Sequence, residues 1–151
     1  VQALNFLAYT YAETGSELDS AEKMARRALE LKPDDGYIMD TLGWVLFKRG
    51  QFEDAVKVLE DAHRLQPNEA IIADHLGDAY YYFRMPERAK RLYEKAAALA
   101  EEDKRRAKEG GAGDAGGTTG VSVEKVRAKI VIIDRQKDAI SPTERRPASA
   151  K

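Results

Sequence analysis

Apolar residues recur along this chain at helical spacing. In residues 36–49, Met39, Leu42, Gly43 and Leu46 fall at i, i+3, i+4 and i+7, one stripe of a 3.6-residue period. The stripe then returns at a fixed interval. Ala21, Ala55 and Ala89 stand 34 residues apart, and so do Ala28, Ala62 and Ala96. Leu7-Ala8, Leu42-Gly43 and Leu76-Gly77 recur at 35 and then 34, each followed three residues later by Tyr11, Leu46 or Tyr80. The spacing predicts helices over 2–14, 18–31, 36–49, 52–65, 70–83 and 86–108, joined in pairs by turns such as Arg49-Gly50-Gln51. Pro33 and Pro67 close the first two pairs, and Asn68 is placed to cap the helix that follows. Gly43 has no Cβ, so its partner helix can come close, with Ala55 and Ala62 as small contacts and Val58 and Leu59 filling the space between. A two-helix unit at this period describes a stacked solenoid, in which each unit buries its apolar face against its neighbours.

The pattern changes after residue 109. Residues 110–120 are Gly-rich and formally contain GxGxxG at Gly111, Gly113 and Gly116. A dinucleotide site needs a strand before that motif and a helix opening at its end. Here the charged helical run Glu101 to Glu109 precedes it, so the composition reads as a flexible linker. Beyond it, Val123, Val126, Ile130 and Ile133 give an amphipathic helix over 121–137 with Ser122 as N-cap. The β-branched run Lys129 to Ile133 leaves a short strand open as the alternative. Folded back on Leu92, Ala96 and Leu99, this helix would cap the last repeat, with Lys125 and Arg127 near Glu94 and Glu101. Residues 138–151, with Pro142 and Pro147 among Ser, Ala and Lys, read as a disordered tail. The division is thus a solenoid over 1–109, with repeats 1–35, 36–69 and 70–103 and an extended last helix, then linker, helix and tail.

Charge sharpens the picture because a net of −1 conceals a split. Residues 1–103 carry 13 Lys/Arg against 20 Asp/Glu, a net of −7; residues 104–151 carry 12 against 6, a net of +6. An acidic solenoid carries a basic tail. The tail lacks a dense Arg/Lys block and interleaved aromatics, so no nucleic-acid partner is expected. There is no cysteine, which excludes disulfides and thiolate metal sites. No apolar run approaches the roughly 18 residues that span a bilayer, so no membrane insertion is expected of this segment. The sequence opens at Val1 inside a helical pattern without an initiator Met, the mark of a segment of a longer protein, and targeting is left open.

Catalytic chemistry has little support. His63 and His75 are the only histidines, on different helices and without a spaced second ligand. His63 is expected on a solvated face, and His75 in the groove or an inter-repeat seam. Glu53-Asp54 and Glu60-Asp61 read as solvated helix faces, and no nucleophile has a neighbouring base. No enzyme activity, cofactor or metal is expected.

These spaced positions resemble the tetratricopeptide repeat family over Val1 to Asp103. Tyr9 after Ala8, one extra residue in Thr14 to Asp19, and Glu101 in place of the closing proline depart from its pattern. The resemblance implies an all-α, right-handed solenoid of three helix-turn-helix repeats with a C-terminal capping helix. It also implies a concave groove lined by the first helix of each unit. On the stripe opposite the buried one lie Gln2, Asn5, Tyr9, Ala12 and Glu13, then Tyr37, Asp40, Trp44, Phe47 and Lys48, then Ile71, Asp74, Asp78, Tyr81 and Tyr82. Of these, Asn5, Tyr9, Tyr37, Asp40, Trp44, Phe47, Asp74, Asp78, Tyr81 and Tyr82 are the expected partner-binding residues. Rigid aromatics beside acids fit a protein or peptide partner with apolar and basic residues. Members that clamp a terminal carboxylate use Lys, Arg and Asn; only Asn5 fits, and the three acids would repel such a ligand. The implied function is a protein-interaction scaffold or adaptor. The alternative is a structural or regulatory segment of a larger cell-envelope protein or enzyme. Strings such as Leu42-Gly43-Trp44-Val45-Leu46 resemble bacterial envelope-associated lipoproteins of the family and favour a periplasmic or envelope setting over a cytoplasmic one.

Overall fold

The computed structural model describes residues 1–110 and 120–139. Every regular element among them is an α-helix: α1 Gln2–Thr14, α2 Leu18–Leu31, α3 Gly36–Lys48, α4 Phe52–Leu65, α5 Ala70–Tyr82, α6 Pro86–Glu109 and α7 Val123–Ala139. Helices α1/α2, α3/α4 and α5/α6 form three antiparallel pairs, each packed on the next, and α7 closes the stack against α6. The strand alternative over Lys129–Ile133 is thereby excluded, since these residues continue a helix begun at Val123. The Gly-rich motif at Gly111, Gly113 and Gly116 and the tail from residue 140 onward lie outside the described residues.

The small residues sit where the paired helices cross. Ala21, Ala55 and Ala89, and likewise Ala28, Ala62 and Ala96, are completely buried. Position by position, the repeats trade volume across the pair. In the second repeat Gly43 faces Leu59: a Cβ on Gly43 would lie 2.5 Å from Leu59 Cγ. In the third, Gly77 faces Tyr93, with 2.6 Å to its ring edge. In the first, Ala8 and Ala25 occupy the two corresponding positions, both fully buried. A large residue on one helix is matched by glycine on the other, and a small one by alanine, which keeps the interior at native density.

The turns also repeat. Gly15, Gly50 and Arg84 occupy one position of the unit, and all three have positive φ, at 70°, 80° and 62°. The next residue's amide donates back across the helix end each time: Ser16 to Tyr11, Gln51 to Leu46 and Met85 to Tyr80, at 3.1, 3.0 and 2.8 Å. That is the left-handed helix stop which glycine adopts without a Cβ penalty and arginine does not. Caps differ from expectation in one place. Asn68 lies in the turn and Glu69 precedes α5, whereas Asp35 accepts from the Tyr37 and Ile38 amides at the start of α3. Ser122 Oγ accepts from the Lys125 amide and opens α7. With no proline after Ala100, α6 runs 24 residues.

α7 buries Val123, Val126 and Ile133 in the same core as Tyr93, Ala96, Ala97 and Ala100, with Leu92, Leu99 and Ile130 partly covered. Arg127 pairs with Glu101, while Lys125 is exposed and makes no bridge to Glu94. No described helix is long and apolar enough to cross a membrane.

Candidate partner-binding groove

Nine of the ten residues expected to line one groove separate into three groups, and the tenth, Asp74, stands beside the third, joined to it through Lys129. Asn5 and Tyr37 border a cleft at the N-terminal end, with Lys32 and Asp35. The Tyr37 hydroxyl donates to Glu69 at 2.8 Å, and the Asn5 side-chain oxygen is buried without a partner.

Tyr9, Asp40 and Trp44 belong to an interior seam between repeats. Asp40 is 6% exposed and Trp44 8%, so neither is offered to a partner as the stripe pattern predicts. The reason is His75, which α5 inserts between them. Its ring stacks on Trp44 at 4.0 Å between centroids and lies 6.2 Å from that of Tyr9, and its Nδ1 is 2.8 Å from Asp40 Oδ1. Burial opposes the imidazolium, but the Asp40 charge and hydrogen bond, with Asp74 and Asp78 further off, outweigh it and hold His75 above the usual histidine range. Trp44 Nε1 donates to Glu13 at 2.6 Å and its other flank stacks on Phe47 at 4.9 Å. An indole with both faces and its N–H engaged is core, not anchor.

Phe47, Asp78, Tyr81 and Tyr82 do come together. With Tyr93, Lys129 and Ile132 they line an open cavity of about 380 Å³ between α3, α5, α6 and α7. Phe47 and Tyr82 meet edge to face at 5.3 Å, and Tyr81 and Tyr82 likewise at 5.5 Å. Tyr82 is 56% exposed. At the polar end the Tyr93 hydroxyl donates to Asp78 at 2.6 Å. The Lys129 ammonium donates to both Asp74 and Asp78 at 2.9 Å and lies over the Tyr93 ring. Burial and the neighbouring Asp78 charge raise the Asp74 carboxyl, with Lys129 opposing. Burial would lower Lys129, but the two aspartates outweigh it and hold the ammonium above its ordinary value.

Lys129, Ile132 and Tyr93 in the cavity, and His75 in the seam, thus neighbour the expected residues without being singled out by the first-helix stripe. The apolar period of α7 placed that helix, but Lys129 and Ile132 lie off its buried stripe. His63 is half-buried rather than solvated: its Nε2 is 3.1 Å from Lys95 Nζ, and burial followed by that charge lowers its pKa.

A stack of antiparallel helix pairs repeating every 34 residues, with small residues at each crossing, is an α-helical repeat solenoid. Tetratricopeptide repeat models match residues 1–35 and 36–69, so the first two helix pairs are tetratricopeptide repeats. It is 36% identical over 76 residues, half of its own length, to a TPR repeat-containing protein of Pseudomonas aeruginosa, of which it spans 13%. Two solved structures share the fold at TM-score 0.71. One is PcrH in complex with the chaperone binding region of PopD, at 18% identity over 91% of this chain and 92% of that one. The other is the Yersinia enterocolitica type III secretion translocator chaperone SycD, at 15% identity over 91% and 85%.

Proposed function

We propose that this chain is a protein-interaction scaffold that holds a segment of a partner protein by an apolar side chain seated between Phe47, Tyr81, Tyr82 and Ile132. The observation that carries the reading is the aromatic cavity itself. Its volume falls in the range of about 300–1,000 Å³ found for ligand sites, and rigid aromatics with few rotamers are what interface hot spots are made of. A protein of the same fold, PcrH, has been solved in complex with the chaperone binding region of PopD, which supports a protein-binding use in general. The scaffold performs no chemistry in this reading: His75 is committed to the inter-repeat seam and His63 to Lys95.

Random peptides displayed on phage and selected on the wild-type chain test this. Peptides so selected should bind Tyr82→Ala roughly tenfold or more weakly, the loss of one hot-spot side chain. Tyr82 is exposed, so the substitution leaves the core intact. Peptides that bind Tyr82→Ala and Phe47→Ala as well as the wild type would place the interface on another face.

A further inference from the structure

We infer that Lys129 of α7 sets the charge selectivity of the cavity, taking up the lining carboxylate Asp78 and its neighbour Asp74 so that the cavity accepts an apolar side chain and rejects a cationic one. The inference rests on the groove reading above and names the chemistry of its partner.

Asp74 and Asp78 are one turn apart on α5, with side chains 15% and 14% exposed. Two desolvated carboxylates beside an aromatic wall would by themselves draw in a lysine or arginine, since a cation there finds both opposite charges and ring faces. The chain fills that role from within. Lys129 reaches both aspartates at equal distance, its ammonium lies over Tyr93, and Tyr93 gives Asp78 a further donor. An ammonium has three N–H groups, so one remains for the cavity. It suits an acceptor, such as a backbone carbonyl of the bound segment, and repels a second cation. The remaining groove acid is engaged in the same manner: Asp40 is held by His75 from the next helix pair. Each acid of the groove is therefore engaged by an element that follows it in the chain, their charge is largely offset, and apolar contact is left as the chief means of recognition.

The same displayed library, selected in parallel on the wild type, Lys129→Met and Lys129→Arg, gives the test. Wild type and Lys129→Arg should enrich Leu, Phe or similar anchors and deplete Lys and Arg. Lys129→Met should enrich Lys or Arg at the anchor by roughly tenfold over the wild-type pool, one unpaired buried charge being worth at least that. Asp74→Asn with Asp78→Asn leaves Lys129 unpaired and should enrich Asp and Glu instead, which keeps the test decisive if the methionine variant does not fold. Equal pools from all variants would overturn the role of Lys129 while leaving the groove reading standing. Pools that ignore Tyr82→Ala would overturn the groove reading and this inference with it.

Discussion

Gly77→Ala adds one methyl group and should destabilise the protein by about 2 kcal/mol, against the ordinary direction of such a change. In a helix interior, alanine is favoured over glycine by about 1 kcal/mol. Here the new Cβ would lie 2.6 and 2.7 Å from two Tyr93 ring carbons. Relief to van der Waals contact requires the ring to move by about 1 Å. Tyr93 is 2% exposed and tied by its hydroxyl to Asp78, so it has no empty space to enter. Overpacking a tight interior costs about 1–3 kcal/mol, and a displaced ring also strains a hydrogen bond to a carboxylate worth about 1.5–3 kcal/mol. The loss outweighs the propensity gain. Urea titration followed by circular dichroism measures it, with Tyr93→Ala as background, the small residue that the first repeat carries there as Ala25. On that background Gly77→Ala should cost nothing or stabilise, because the ring is gone. A single variant as stable as the wild type, or a cost that persists in the Tyr93→Ala background, would refute the volume trade between the two helices.

Two further outcomes follow. Arg84→Gly should raise stability by about 0.5–1 kcal/mol in the same titration, since it removes the penalty of a left-handed non-glycine residue at the position where the other two repeats carry Gly15 and Gly50; no gain would mean the Arg84 side chain holds the turn in place. Because the folded state raises the His75 pKa, His75 contributes stability that is complete below its unfolded value near 6.5 and is lost as pH rises through the folded value, each tenfold gain in proton affinity being worth about 1.4 kcal/mol. Wild type should therefore lose more stability than His75→Gln between mildly acidic and alkaline pH; parallel profiles would refute the charged pairing with Asp40.

The helices were legible because their signals are local. Residues three and four apart set each face, and the 34-residue recurrence of alanine marks each crossing. The candidate site was legible only in part. Phe47, Asp78, Tyr81 and Tyr82 share a cavity because they follow one stripe through successive units. Asp40 and Trp44 follow the same stripe and are nevertheless interior, since His75 enters from 35 residues beyond Asp40. Lys129 reaches Asp74 and Asp78 across separations of 55 and 51 residues. Such pairings depend on where a helix from another unit docks, and no periodicity within one unit encodes that. The polar face of α7 carried the missing information, but it has meaning only beside α5.

The seam between the second and third repeats also has an optical consequence. Trp44 is the only tryptophan in the chain, and its indole is sandwiched between Phe47 and the imidazole of His75, with interplanar angles of 8° and 15°. All of the indole emission therefore originates at one junction. Its intensity depends on whether the ring beside it carries a proton, and its wavelength on whether that junction is closed to water. Excited selectively beside the chain's seven tyrosines, this one indole is a built-in fluorophore for the place where the middle repeat meets its neighbours, through His75 on one side and Glu13 on the other.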